Sequence, residues 1–138
     1  MKIVETRDIT TCRHLRRVVF IDEQGVPESD ELDDLDDQAT HLLALINDQP
    51  IGSARLLVTD NIGKIGRVCV LKQARGAGVG AALIRAAVDH FRQTPGITKA
   101  KLGAQVHAIG FYENLGFQAI GPIYDDAGID HRDMVLSL

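Results

Sequence analysis

The 138 residues carry 15 lysines and arginines against 19 acids, for a net charge of −4, with 45% hydrophobic and 25% charged positions. That balance fits one folded domain over residues 1–138 and excludes a disordered chain, while the basic face of a nucleic-acid binder is missing. No run approaches the roughly 18 apolar residues of a membrane span, and Met1-Lys2-Ile3-Val4-Glu5 lacks the apolar core of a signal peptide, so a cytoplasmic protein without a membrane partner is expected.

Lys2 to Thr6 alternates and predicts a first strand. From Asp8, an N-cap residue type, Ile9, Cys12, Leu15, Val18 and Val19 recur at helical spacing with Arg13, Arg16 and Arg17 on the outer side, and the helix is expected to end near Gln24-Gly25. Nine of the nineteen acids then fall between Asp22 and Asp37. The run Glu28 to Asp37 reads either as a solvated loop or short helix pinned by Leu32 and Leu35, or as the border of a site whose field attracts a cationic amine.

Thr40 to Ile46, Ile51 to Thr59 and Lys64 to Leu71 read as an antiparallel meander, with turn chemistry at Asn47-Asp48-Gln49-Pro50 and Asp60-Asn61-Ile62-Gly63. Ala54, Leu56 and Val58 share one face of the middle strand. Leu83, Ile84, Ala87, Val88 and Phe91 form the apolar stripe of a helix that stops before Pro95-Gly96. Thr98 to Gln105 alternates, with Ala100, Leu102 and Ala104 inward, and a helical crossover makes it parallel to the strand before the helix. Ala108, Phe111, Tyr112 and Leu115 form a further helix with Gly116 just past its end. Phe117 to Ile120 and Arg132 to Leu136 complete the sheet as a terminal antiparallel pair. Cys12 and Cys69 make no metal-ligand spacing, and no metal is expected.

Between the third strand of the meander and the long helix stands Arg75-Gly76-Ala77-Gly78-Val79-Gly80. Amides at a helix start lack intrahelical acceptors and sit at the positive end of the helix dipole, so they stabilise an anion. Glycines at 76, 78 and 80 let the chain turn and let a phosphate approach, and Arg75, Arg67 and Lys72 add positive charge. The expected ligand carries a pyrophosphate. A P-loop is absent. A dinucleotide fingerprint from Gly76, Gly78 and Ala81 lacks its acidic partner at the end of a second strand, because Asp89 lies inside the helix.

Arg75-Gly76-Ala77-Gly78-Val79-Gly80 resembles the Arg/Gln-x-x-Gly-x-Gly/Ala signature of the GCN5-related N-acetyltransferases (GNAT family). Gln105-Val106-His107-Ala108-Ile109-Gly110-Phe111-Tyr112-Glu113-Asn114-Leu115-Gly116-Phe117 resembles its second motif. Val19 to Pro27 and Ala127-Gly128-Ile129-Asp130-His131 are similar to the small bacterial ElaA/YjcF-type branch. The resemblance implies an α+β fold: a six- to seven-stranded, mostly antiparallel sheet, helices on both faces, and a central parallel pair that splays to admit the pantetheine arm.

It implies transfer of an acetyl group from acetyl-CoA to a primary amine by direct attack, or, as the alternative, a coenzyme A binding or sensing protein without turnover. The coenzyme would be held by Val68, Cys69, Val70, Arg75, Gly76, Ala77, Gly78, Val79, Gly80, Gln105, Phe111 and Tyr112. Gln105 stands where many relatives carry Asn. Tyr112 is the candidate acid for the leaving thiolate, Glu23 and His41 are candidate bases, and His131 is a further one. Cys69 reads as a small buried residue or as a thiol beside the thioester. A small-molecule or peptide amine, cationic by the sign of the acidic run, is the expected acceptor, and edge strands at the chain ends suggest a homodimer.

Overall fold

The computed structural model describes residues 1–138. Strand β1 (Lys2–Thr6) leads into helix α1 (Ile9–Arg16), capped by Asp8, whose carboxylate accepts from the Thr11 amide at 3.1 Å. The helix runs on as a wider π-helical segment, Arg17–Glu23, in which the Gln24 amide bonds the Val19 carbonyl at 3.1 Å. Such segments re-aim side chains relative to an ordinary helix and are frequent at functional sites. Here the segment delivers Glu23 and Gln24 towards the sheet. Helix α2 (Glu28–Glu31) is a single turn.

The meander is β2 (Thr40–Ile46), β3 (Gln49–Thr59) and β4 (Ile62–Val70). Asn47 and Asp48 both have positive φ, 50° and 63°, which matches a two-residue hairpin loop to the twist of its strands. Helix α3 (Val79–Arg92) crosses to β5 (Lys99–Gln105), which lies parallel to β4. After helix α4 (Ile109–Asn114), strands β6 (Gln118–Asp126) and β7 (Ile129–Ser137) form a hairpin longer at both strands than the sequence suggested. The seven strands are ordered β1-β2-β3-β4-β5-β7-β6, with β4–β5 the single parallel pair.

The α3 stripe Leu83, Ile84, Ala87, Val88 and Phe91 is buried against Leu42, Ala54, Leu56, Ile65, Ala100, Leu102 and Ala104, and α4 joins this face through Ile109, Tyr112 and Leu115. Gly63 lies beneath the Phe91 ring, where a Cβ would stand 2.5 Å from it. The other face carries α1, with Cys12, Leu15 and Val19 packed on Leu43 and Cys69. Val58, expected inward with Leu56, is 54% exposed because it lies towards the outer end of β3. No helix is long and apolar enough to cross a membrane.

Two departures from the sequence reading shape the centre of the molecule. Between Ser53 and Arg55 β3 advances two residues while β4 advances three, from Cys69 to Gly66, and Arg67 in that bulge has a φ of +50°. A bulge bends its strand. The β4–β5 ladder accordingly ends at Ile65 and Leu102, and beyond that pair the two strands part.

The second departure is in the charges. Arg16, expected on the outer side of α1, is 1% exposed, and Glu31 and Asp36 are buried with it, while Leu32 of the supposed leucine anchor faces solvent. Arg16 donates to Glu31 at 2.6 Å and to Asp36 at 2.9 and 3.1 Å, and Arg55 donates to Asp33 at 2.8 and 2.9 Å and to Asp36 at 3.1 Å. Arginine's planar fork satisfies several carboxylate oxygens at once, which is what allows these charges to be buried. The acidic run is therefore only partly solvated: Glu31, Asp33 and Asp36 are fastened to arginines of α1 and β3, while Glu28, Asp30, Asp34 and Asp37 are exposed.

Candidate active site

Where β4 and β5 part, a cavity of about 510 Å³ opens on the α1 side of the sheet. Phe20, Gln24 and Val26 border it from the end of the π segment, and Asp30 and Glu31 from α2. Gly66, Arg67 and Val68 of the bulge, Gly103 and Gln105 of β5, and Tyr112 of α4 line its depth. Tyr124, Asp126, Ile129, His131 and Asp133 of the last hairpin form the far wall. The Tyr124 hydroxyl lies over Gly103, where a Cβ would meet it at 2.5 Å, and donates to Asp133 at 2.8 Å.

The open edge of β4 has polar groups to offer. The Leu71 amide bonds the Ile51 carbonyl on the β3 side at 2.8 Å, so by strand alternation the Val70 peptide groups are directed into the gap. The Val70 carbonyl accepts from Arg75 Nε at 3.0 Å. The glycine loop follows, with Gly76 and Gly78 at φ +85° and +78°, a conformation other residues adopt only with strain. The first helical bond of α3 runs from the Ala82 amide to the Gly78 carbonyl at 3.0 Å, leaving the amides of Val79, Gly80 and Ala81 without acceptors inside the helix. A Cβ on Gly76 or Gly78 would meet nothing within 4 Å, so the loop is open to an approaching anion. These features fit a pyrophosphate, with Arg75, Gly76, Ala77, Gly78, Val79 and Gly80 as the residues able to hold it. Phe111 stands beside the loop, its ring 3.5 Å from where a Gly80 Cβ would be.

The proposed proton-transfer groups separate by position. Tyr112 lines the cavity, its ring edge-on to Phe111 and Phe117, and burial raises its hydroxyl pKa, so it keeps its proton at neutral pH. His131 also lines the cavity, stacked on Tyr124. Its Nδ1 is 2.7 Å from the Ile129 carbonyl, which can only accept, so Nδ1 carries a hydrogen and the lone pair of the neutral ring is at Nε2. Glu23 lies at the cleft mouth in a two-pronged ion pair with Arg75, at 2.5 and 2.8 Å, and those hydrogen bonds hold its carboxyl below the usual range. His41 does not reach the cavity: it is buried on β2, with Nε2 2.9 Å from the Asp36 carbonyl.

Among the residues expected to touch the coenzyme, Val68, Gln105 and Tyr112 line the cavity, and Gln105 donates to the Gln24 side chain at 3.1 Å. Cys69 faces the α1 layer instead. It is 3% exposed, with Sγ 3.3 Å from Ser53 Oγ, and burial pushes its thiol pKa up, so its side chain is not beside the cleft. Arg67, expected to add charge beside the glycine loop, instead bonds Asp30, Glu31 and Asp33, and sequence reasoning did not single out Lys64, Lys101, Tyr124 or Asp133. They converge only through the bulge and the late hairpin, which local patterns do not encode. No group of three or more metal-ligating side chains is assembled.

This combination of a forked parallel pair, a glycine loop at a helix start and a tyrosine in the fork defines an acyl-CoA N-acyltransferase fold. Residues 18–138 match the family model of the acetyltransferase (GNAT) domain, and the chain belongs to that family. It is 34% identical to the uncharacterized N-acetyltransferase YjcF of Bacillus subtilis, over 88% of this chain and 87% of that protein. It is 35% identical to the protein ElaA of Escherichia coli, over 87% and 81% of the two. A crystal structure of an acyl-CoA N-acyltransferase from Pseudomonas aeruginosa superposes with a TM-score of 0.87 at 28% identity, covering 99% of both chains.

Proposed function

We propose that the protein transfers an acetyl group from acetyl-CoA to a primary amine held in the cavity. The observation that carries this reading is what surrounds the fork of β4 and β5: the unpaired edge of β4, the anion-receptive loop that follows that edge, and Tyr112 and His131 in the lining of the cavity. Acetyl-CoA, when bound, supplies the activated acetyl thioester.

The chain's own residues supply the rest. The amides of Val79, Gly80 and Ala81 receive the pyrophosphate, and the outward peptide groups of Val70 align the arm as a neighbouring strand would. A peptide N–H at this edge donates to the oxygen on which negative charge develops. His131 Nε2 accepts the proton that the attacking amine must lose, and Tyr112 donates its hydroxyl proton to the leaving sulfur. Glu23 is engaged by Arg75 and His41 lies outside the cavity, so neither is assigned the base. Both cysteines are free and buried, in keeping with a reducing, cytoplasmic setting.

The test is thiol release from acetyl-CoA across a panel of primary amines. Amine-dependent release is expected, with His131→Ala and Tyr112→Phe each lowering kcat by about 10²-fold or more. Binding of acetyl-CoA without release from any amine would instead support a binding or sensing protein, and wild-type rates in both variants would remove these assignments.

A further inference from the structure

Lys64 and Lys101 occupy the same register of the parallel pair, so their side chains project from one face of the sheet on neighbouring strands about 4.8 Å apart. The next register, Ile65 and Leu102, is buried in the core with α3. By alternation the lysines project to the opposite side, and both line the cavity. They stand one residue before the fork opens.

Like charges side by side on a sheet disfavour each other, and here they are unequally compensated. Lys101 Nζ lies 3.5 Å from Asp133, whose other oxygen is taken by the Tyr124 hydroxyl. Lys64 has no carboxylate within ion-pair distance. Arg67, the other strong cation of the cavity, gives Nη2 to the Asp30 and Glu31 carbonyls and to Asp33, while its buried Nε has no hydrogen-bond partner and lies 3.8 Å from the Glu31 carboxylate. Lys64 thus presents an exposed cationic head with no carboxylate partner to the cavity, while the carboxylates of Asp30 and Asp126 stand unpaired elsewhere in its lining.

Resting on the acetyltransferase reading, we propose that the acceptor bears a carboxylate as well as its amine, and that Lys64, seconded by Lys101, holds that carboxylate. From Val68, on the open edge of β4, back to Lys64 is about 13 Å of strand. The bulge and the lysine stem take up part of it. The amine and the carboxylate are therefore separated by several bonds, as in an ω-amino acid, and the unpaired acids receive the ammonium before it loses its proton.

The experiment compares glycine, 4-aminobutyrate and 6-aminohexanoate with methylamine, propylamine and pentylamine, in the wild type and in Lys64→Ala, a surface change that leaves Tm unchanged. The wild type is expected to favour each longer amino acid over its matched amine by about tenfold or more in kcat/KM, with glycine poorest. Lys64→Ala should abolish that preference by raising KM for the amino acids alone. Equal losses on both series, or a wild type that prefers the plain amines, would overturn the proposal. Binding of the product 6-acetamidohexanoate, followed by ligand-observed NMR with and without coenzyme A, tests the carboxylate site independently of turnover. Wild-type binding that is lost in Lys64→Ala supports it, and no binding by the wild type rejects it. Failure of the transferase reading itself would show separately, as absence of acetyl-CoA binding or of thiol release with every amine in both series.

Discussion

Glu23 and His131 both carry groups able to accept a proton, and their partners assign them different work. Both oxygens of Glu23 are held by Arg75, whose hydrogen bonds depress its pKa, so protonating it means giving up an ion pair. His131 is held by its Nδ1 alone, which leaves Nε2 free. Glu23→Gln is therefore expected to leave kcat near the wild-type value and to raise acetyl-CoA affinity, since it removes a negative charge beside the anion loop. Steady-state kinetics with acetyl-CoA varied would show this, and a fall in kcat of about 10²-fold would make Glu23 the base after all. The histidine reads differently in sequence and structure for a simple reason: His131 lies in a loop-like stretch whose extension into β7, and whose stacking on Tyr124, depend on strand pairing.

At the level of elements, the acidic segment after α1 acts as a strap that fastens one wall of the cavity. Burial alone would raise Asp36, but the hydrogen bonds from Arg16, Arg13 and Arg55 overcome that and hold its carboxyl far below the usual range; Arg55 likewise depresses Asp33. Carboxyls depressed on folding contribute stability that is fully present above their unfolded pKa, near 3.9, and is lost as pH falls from there through the folded values. The protein is thus expected to hold its Tm at neutral pH and to lose it progressively below about pH 4. Asp36→Ala should cost about 3–5 kcal/mol at neutral pH in a denaturant titration, because it strands buried guanidinium groups, and should flatten the acid limb. A loss below about 1 kcal/mol would mean the network is of the weak, exposed kind.

The same segment marks the limit of reading elements from sequence. Periodicity placed a strand at Thr98–Gln105, found at Lys99–Gln105, with Ala100, Leu102 and Ala104 inward, and located the stripe of α3, because one buried face is a local property of the chain. Arg16 defeated it, since the acids that draw it inward lie fifteen and twenty residues away and pairing between charges leaves no period. The β4 bulge was invisible for a related reason: a left-handed Arg67 is stabilised by contacts from Asp30, Glu31 and Asp33, not by its own propensity. The π segment and the length of the last hairpin are also set by what they pack against.

Taken whole, the molecule is a sheet pried open at its single parallel junction, with the anion loop on one side of the opening and the charged cavity on the other. The loop was legible in the sequence because its glycines are required by backbone geometry. The cavity was only partly so, because its walls come from five separate stretches of chain. Everything proposed for the site depends on the loop's receiving a pyrophosphate. The direct measurement is calorimetric titration of acetyl-CoA into the wild type and Gly78→Val, where a β-branched residue cannot hold the φ of +78° that sets the start of α3. The account predicts saturable one-to-one binding to the wild type and at least about tenfold weaker binding to the variant, with the rest of the fold retained because Gly78 lies on the surface. Equal affinity in the two proteins, or no binding by the wild type, would contradict it.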